Sequence, residues 1–240
     1  MLDRLLDIVW PRRCEVCGRP SDRPGRHVCA DCLNRIPFLP QTGCCRVCGR
    51  AVAGQGAEFL CEDCRRPSTR PAFDRAASAA SYEDAVREMV HSYKFRQHLW
   101  LRADFADWME AALAARFDVA QIDAVMPVPS TLSRRINRGC NQSEYLAAEL
   151  ARRFDRVHLP RALRRVGSPK RQAGLSEEER RENAKGTFAV RRPELVRGRT
   201  LLVVDDVMTT SSTLSECARV LKEAGAWRVW CAALARSVRD

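Results

Sequence analysis

The sharpest pattern along the chain is a short apolar run, Leu201 to Val204, that two aspartates and then a group of small hydroxyl residues follow. Four consecutive apolar residues, two of them β-branched, predict a central strand that is covered on both faces. Ionisable side chains are costly inside such a strand, so Asp205 and Asp206 are predicted to mark its carboxyl end. Beyond them, apolar residues recur at helical spacing up to Gly225. The segment Thr209 to Thr213, which we call the hydroxyl loop, is therefore predicted to lead into a helix.

The chain from residue 82 onward alternates between segments with the helical spacing of apolar residues and short apolar segments typical of strands. Helices are predicted over residues 82–93, 101–117, 142–154 and 214–223, and further strands over residues 122–128, 188–190 and 227–233. Strands that alternate with helices indicate βαβ units, and so an α/β fold with a mostly parallel sheet flanked by helices. Ligands bind at the carboxyl edge of such sheets, where the aspartate pair is expected.

The residue types at this edge suit a sugar phosphate. Ionised carboxylates accept hydrogen bonds from sugar hydroxyls and can hold Mg2+, whereas hydroxyls and the free N–H groups of a helix N-terminus donate to phosphate. The alternative is that the aspartates only cap a helix and that the hydroxyl run is an ordinary strand-to-helix loop. The Walker and Rossmann glycine patterns do not occur, which disfavours a nucleoside triphosphatase or a dinucleotide oxidoreductase.

A second pattern is a tandem repeat of cysteines near the start of the chain. Cys14-Glu15-Val16-Cys17-Gly18-Arg19 recurs as Cys45-Arg46-Val47-Cys48-Gly49-Arg50, and Cys29-Ala30-Asp31-Cys32 recurs as Cys61-Glu62-Asp63-Cys64. Each copy offers four thiolates from two short turns, which can close tetrahedrally around Zn2+ and leave no position for a catalytic water. We call the first copy (Cys14, Cys17, Cys29, Cys32) the first unit and the second copy (Cys45, Cys48, Cys61, Cys64) the second unit. Two structural zinc ions are predicted.

A disulfide framework is the rival interpretation of the cysteines. Asp3, Arg4 and Asp7 interrupt the first ten residues, so no signal peptide is predicted, and the reducing cytosol disfavours stable disulfides. Cys44 does not keep the repeat spacing and is predicted to be spare, while His27 is a candidate replacement ligand. Residues 65–72 are proline-containing and lack a period, which predicts a small double zinc ribbon over residues 1–70 and a larger domain over 71–240.

The net charge and the hydropathy of the chain indicate its class of ligand and its compartment. The chain carries a formal net charge of +11, which two zinc–tetrathiolate sites would reduce to roughly +7. Such a surface favours phosphorylated or polyanionic ligands, although an arginine-rich background explains the surplus equally well. No apolar segment is long enough to span a bilayer, so a cytoplasmic protein is expected.

The run from Leu201 to Thr213 resembles the phosphoribosyl pyrophosphate (PRPP) signature of type I phosphoribosyltransferases. The resemblance implies that Asp205 and Asp206 meet the ribose hydroxyls, as the catalytic carboxylates, and that Thr209, Thr210, Ser211, Ser212 and Thr213 bind the 5-phosphate, with Mg2+ accompanying PRPP. Ser211 stands where that family usually has glycine, which permits a close approach and a positive φ. The departure either weakens the phosphate cradle or supplies a further hydroxyl.

With the zinc repeats, the resemblance extends to the ComF family over nearly the whole chain. It is carried by the stretches Val90-His91-Ser92-Tyr93-Lys94-Phe95, Pro127-Val128-Pro129, Arg138-Gly139-Cys140-Asn141-Gln142, and Arg171-Gln172 with Leu175-Ser176. The resemblance implies a type I phosphoribosyltransferase-like domain behind a double zinc ribbon, and an association with natural transformation and with incoming single-stranded DNA.

Pyrophosphate contacts are predicted at two places. Pro129, Ser130 and Thr131 follow a strand end, where type I phosphoribosyltransferases place such a loop, and Lys170 and Arg171 lie in a basic segment that could close over the group. Plain turns or solvated loops are the alternatives. Lys94 either reaches the diphosphate or faces solvent, and its amphipathic helix slightly favours solvent.

Three classes of function remain open from the sequence. The favoured interpretation is a PRPP-binding phosphoribosyltransferase-like protein with structural zinc sites, which the family resemblance associates with natural transformation and the handling of incoming single-stranded DNA. The alternatives are a nucleobase phosphoribosyltransferase of nucleotide salvage, and a zinc-ribbon adaptor that docks a protein of the competence machinery and senses PRPP. The acceptor of a phosphoribosyl group is not identified by any motif.

Overall fold

The computed structural model describes residues 12–52, 59–131, 139–167 and 177–237, and a five-stranded parallel sheet forms the centre of this part of the chain. Its strands, in the spatial order β1-β7-β6-β2-β3, are β1 (Arg75–Ser81), β2 (Ala124–Pro127), β3 (Val157–His158), β6 (Thr200–Met208) and β7 (Arg228–Arg236). Two further strands, β4 (Leu163–Arg165) and β5 (Phe188–Val190), form a separate antiparallel pair. The α/β class with a mostly parallel sheet is confirmed.

Helices cover both faces of the sheet. They are α1 (Ala30–Leu33) and α2 (Glu62–Arg65) in the cysteine-rich part, then α3 (Asp84–Phe95), α4 (Arg102–Arg116), α5 (Gln142–Arg153), α6 (Glu177–Ala184) and α7 (Ser212–Glu223). Short 3-10 turns occur at Leu99–Leu101, Val119–Gln121 and Pro193–Leu195. Within the described ranges, no helix combines the length and the apolar character that crossing a bilayer requires.

The sheet separates two hydrophobic cores, and buried cysteines of the first unit belong to one core and those of the second unit to the other. Cysteines of the first unit pack with α3 and α4 around Tyr93 and Phe105. The second unit packs on the opposite face, in the core that contains Leu214 of α7. The alternation of side chains along β6 explains this division, because successive residues of a strand point to opposite faces. The cysteine-rich part is thus built into both faces of the larger domain.

The structure moves the end of one predicted strand and adds an edge strand that the sequence did not predict. The strand β6 does not end at the aspartates but continues through them to Met208, because β7 still pairs with its far end. The edge strand β1 was not predicted at all, since its alanines and serines lack the β-branched residues that indicate strands. The reason for these small side chains is packing. Ala76 donates its backbone N–H to the Val47 carbonyl of the second unit at 2.6 Å.

Candidate functional site

Unequal strand lengths create an open edge in the middle of the sheet. The short strand β2 pairs with β6 only as far as Val204, whereas β7 pairs with β6 as far as Met208. The backbone N–H of Val128 makes one more bond to the Val204 carbonyl, at 2.8 Å, and then the chain turns away. Asp205 and Asp206 therefore stand beyond the end of β2, on a strand that β7 holds in place.

A lysine neutralises part of the charge of this carboxylate pair. The Lys94 Nζ of α3 lies 2.7 Å from the Asp206 Oδ1, and both side chains are largely buried, at 15% and 13% exposure. Asp205 accepts hydrogen bonds from the Ser143 hydroxyl at 3.1 Å and from the Asp206 backbone N–H at 2.9 Å. Burial, followed by the neighbouring Asp206 charge, raises the pKa of Asp205 from 3.8 to about 7, although Lys94 opposes the shift.

The hydroxyl loop takes a tight turn before α7. Ser211, at the position where type I phosphoribosyltransferases usually have glycine, adopts the left-handed conformation with φ +63°. The Thr210 and Ser212 hydroxyls lie 2.8 Å apart, and the Ser211 carbonyl accepts from the Ser215 N–H at 2.8 Å in the first turn of the helix. In the first turn of α7, Thr213 lines the same cavity as Asp205 and Asp206, and a helix N-terminus there can bind an anion.

These elements enclose a cavity of about 290 Å³, which we call the aspartate cavity. Its lining brings together residues that the sequence predicted, namely Asp205, Asp206, Thr209, Thr213, Pro129 and Ser130. The Ser130 hydroxyl is buried and has no hydrogen-bond partner among the described residues, so this part of the cavity wall offers a polar group to a ligand.

The remaining predicted residues lie elsewhere. Thr210, Ser211 and Ser212 line a different cavity of about 500 Å³ on the other side of the hydroxyl loop. Thr131 lines a third cavity, of about 660 Å³, which adjoins the aspartate cavity and shares Pro129, Ser130 and Arg165 with it. Lys170 and Arg171 lie outside the described residues.

Three side chains of the aspartate cavity, Lys94, Ser143 and Arg165, were not predicted to belong to the site or were expected to face solvent. The preference for a solvent-facing Lys94 is wrong, because the ion pair with Asp206 buries it. Ser143 and Arg165 were not singled out, although both line the cavity. A signal for Ser143 was present in the sequence: it directly follows the Asn141-Gln142 pair that contributed to the ComF resemblance.

The two groups of cysteines fit two zinc ions. In each unit the four sulfur atoms lie within 4.8 Å of one another. The Sγ atoms of Cys17 and Cys29 are 3.8 Å apart, and those of Cys48 and Cys61 are 3.5 Å apart. A tetrahedral site with Zn–S bonds of about 2.3 Å requires sulfurs separated by about 3.8 Å. With four thiolates in each unit, zinc would have a structural role.

The ligand assignment follows the repeat. Cys44 is buried but belongs to neither group, and its sulfur contacts the Arg116 guanidinium instead. The His27 ring lies near Trp100, with centroids 5.9 Å apart, and is not part of the first unit. The Arg19 backbone N–H and then its side chain lower the pKa of the exposed Cys17 thiol to about 6, which favours the thiolate that zinc needs.

Comparison with known families agrees with this architecture. Residues 5–65 match the double zinc ribbon domain, and residues 141–239 match the phosphoribosyl transferase domain. The fold and the cysteine clusters therefore define a double zinc ribbon joined to a phosphoribosyltransferase-type domain.

Two relatives align with the chain over almost their entire length. The chain is 32% identical to the DNA utilization protein YhgH of Salmonella typhimurium over 217 residues, which cover 83% of this chain and 94% of that protein. It is 29% identical to the competence protein F of Haemophilus influenzae over 231 residues, which cover 94% of this chain and 97% of that protein. The chain belongs to the ComF family.

A crystal structure of adenine phosphoribosyltransferase is 14% identical, with a TM-score of 0.38 over 58% of this chain and 74% of that chain.

Proposed function

We propose that the chain binds PRPP with Mg2+ in the aspartate cavity and acts on it as a phosphoribosyltransferase-type protein. The observation that carries the proposal is the meeting of two carboxylates, a buried lysine and the start of α7 around one cavity of about 290 Å³. Only a ligand with both hydroxyl and phosphate groups uses all of these at once.

The ribose would lie against the aspartates. Asp205 and Asp206 lie beyond the end of β2 and both line the cavity, so their carboxylates would accept from vicinal hydroxyls. The 5-phosphate would lie at Thr209 and Thr213, where the N–H groups of the first turn of α7 have no helical partner. Thr210, Ser211 and Ser212 contribute through the backbone of the turn.

The pyrophosphate would lie on the opposite side of the ribose. Lys94 and Arg165 supply cationic lining there, and Ser130 supplies a buried hydroxyl that no other described residue hydrogen-bonds. Mg2+, when bound with PRPP, would neutralise the leaving group. The protein's own cations would stabilise the same charge, and the aspartates would orient the ribose for attack at its anomeric carbon. Lys170 and Arg171 remain candidates for closing over this group.

The direct test is calorimetry of PRPP binding in the presence of Mg2+. The double variant Asp205→Asn with Asp206→Asn is expected to lose binding, because it removes both acceptors for the ribose hydroxyls. The variant Glu182→Gln with Glu194→Gln removes the same charge from two exposed positions and is expected to bind as the wild type does. Equal affinity in the two double variants would contradict the proposal. A pyrophosphate-release screen across nucleobases then tests turnover.

A second candidate function, the handling of single-stranded DNA, is favoured by the cavity of about 660 Å³ beside the site. Four arginines line it, Arg161, Arg164, Arg165 and Arg191, against the single acidic residue Glu144. This excess of positive charge, in a chain of net charge +11, suits a nucleic-acid backbone. The names of the two relatives, a competence protein and a DNA utilization protein, are compatible with this role.

Salt dependence tests DNA binding. Arg164→Glu with Arg191→Glu is expected to weaken binding of a labelled single strand and to reduce the salt slope by about 0.7 for each lost phosphate contact. The control, Arg35→Glu with Arg87→Glu, makes the same charge change at exposed positions away from this cavity. Binding that ignores salt would exclude backbone recognition. If binding is absent altogether, capture of a competence protein by the full chain would favour the adaptor role.

A further inference from the structure

The hydroxyl loop is a thin wall between two cavities. The aspartate cavity, of about 290 Å³, lies on one side, and the cavity of about 500 Å³ lies on the other, where Cys48 and Cys64 of the second unit form part of the lining. Four of the five loop residues are exposed or half-buried, and Ser212 is the buried one. The contacts at its start therefore matter for its conformation.

Arg236, near the end of β7, is the contact that connects this wall to the second unit. Its side chain is buried, at 3% exposure. Its Nη1 donates to the Cys48 carbonyl at 2.5 Å and lies 3.4 Å from the Met208 sulfur. Arg236 and Met208 are register partners of β7 and β6, and the Ser237 N–H adds a bond to the Met208 carbonyl at 3.1 Å. Met208 directly precedes Thr209, the first residue of the hydroxyl loop. The Arg236 guanidinium therefore contacts both Cys48 of the second unit and the residue before the loop.

The charge of Arg236 is also explained by this position. Within the part of the chain that the structure describes, the hydrogen-bond partners of its side chain are a carbonyl and a thioether, and both are neutral. A buried guanidinium needs a counter-charge, because leaving it unpaired costs several kcal/mol. Asp63 and Glu216 line the same cavity as Arg236 but form ion pairs with Arg50 and Arg219. A zinc ion with four thiolates carries about minus two charges, so the second unit, whose Cys48 carbonyl the guanidinium contacts, can supply the counter-charge.

Among the described residues, the first unit has no such connection to the hydroxyl loop. Its ties to the larger domain run to the opposite face, through the His98–Glu15 contact at 2.6 Å and the Arg23–Asp104 ion pair at 3.0 Å. The two units are alike in sequence, yet in the described ranges it is the second unit, through Cys48 and Cys64, that shares a cavity with the hydroxyl loop.

We propose that Arg236 is a positioning residue that couples zinc occupancy of the second unit to the conformation of the hydroxyl loop and, through it, to PRPP affinity. The last part rests on the proposed function. With zinc bound, the tetrathiolate charge holds the guanidinium, which in turn fixes Met208 and the turn that follows. Loss of zinc from the second unit releases the turn, and by reciprocity PRPP binding retains that zinc.

The experiment compares Arg236→Met and Arg236→Lys with a matched control, Arg116→Met. Arg116 donates to the Cys45 carbonyl of the same unit at 3.0 Å, but it reaches the unit from α4, away from the loop. Three quantities are measured for each full-length variant: amide exchange of residues 207–215 without ligand, PRPP affinity by calorimetry, and the rate at which each of the two zinc ions is released to a chelator.

Arg236→Met is expected to speed amide exchange in the loop, to weaken PRPP binding about tenfold, within the range of site-to-site couplings, and to accelerate release of one zinc only. Arg236→Lys keeps the charge without the planar fork and is expected to recover part of each effect. Saturating PRPP should slow release of one zinc in the wild type. Arg116→Met should change none of the loop readouts.

Unchanged loop exchange and unchanged release of both zinc ions in Arg236→Met would overturn the coupling, as would equal effects from Arg116→Met. If Arg236→Met does not fold, the same comparison is made with Arg236→Lys. The exchange and zinc-release measurements need no PRPP, so a failure of PRPP binding in the wild type would reject the proposed function and leave the coupling separately tested.

Discussion

The ion pair of Lys94 and Asp206 gives the most specific prediction of the structure, because it places a cation inside the candidate site before any ligand arrives. The perturbation is Lys94→Met, which keeps the length of the side chain and removes its charge. At the observed 2.7 Å and an effective dielectric constant of about 20, the attraction between the two charges is about 6 kcal/mol. Desolvation of the partly buried groups offsets much of it, so we expect the free energy of unfolding to fall by about 2–3 kcal/mol.

The loss of unfolding free energy in Lys94→Met should depend on pH. The folded-state pKa of Asp205 is raised from 3.8 to about 7, so the native state keeps a proton that the unfolded state loses, and stability falls as pH rises through this range. Lys94 lowers that pKa, and its removal raises it further. The stability of Lys94→Met should therefore keep falling to higher pH, and its deficit should be larger at pH 8.5 than at pH 5.5.

The assay is urea denaturation of wild type and variant at these two pH values. The matched control is Lys185→Met, which breaks a pair with Glu182 that is 65% and 63% exposed and should lose less than about 1 kcal/mol at either pH. A deficit in Lys94→Met that equals the control, or that does not grow with pH, would refute the argument that Lys94 offsets the aspartate charge.

Four further outcomes are expected. PRPP affinity should fall about tenfold per pH unit below pH 7, because binding requires the ionised Asp205, and a flat calorimetric profile would contradict this. Gly49 and Gly18 are equivalent in the repeat and share φ near +73° and +72°, but a Cβ at Gly49 would lie 2.8 Å from the Ala76 carbonyl oxygen, whereas one at Gly18 meets nothing within 4 Å. Gly49→Ala should therefore be less stable than Gly18→Ala by about 1–3 kcal/mol in thermal denaturation. Ser211→Gly should stabilise the chain by about 1 kcal/mol, since it relieves a left-handed serine, and a loss of stability would assign a structural role to the hydroxyl. Elemental analysis should find two zinc ions per chain, and their chelation should lower the melting temperature; a chain stable without metal would exclude a structural role.

The candidate site illustrates the limits of local patterns. Asp205, Asp206 and the hydroxyl loop could be predicted because a buried strand, a charge pair and a helix start follow one another along the chain. Lys94 could not, because the same amphipathic helix would place a lysine in solvent unless another element covers it. Only the packing of α3 beside the carboxyl edge of the sheet decides that its Nζ meets Asp206.

The sequence by itself determined the parts whose signals are local. These are the two four-cysteine units, whose ligand spacing is fixed by short turns, and the alternation of strands and helices, whose periods record which residues are buried. The tertiary structure alone decided what is non-local: the small-residue edge strand under the second unit, the early end of β2 that opens the site, and the placement of each zinc unit on its own face of the sheet. The physical reason is that these features depend on contacts between residues far apart in the chain, which leave no periodic trace in either partner.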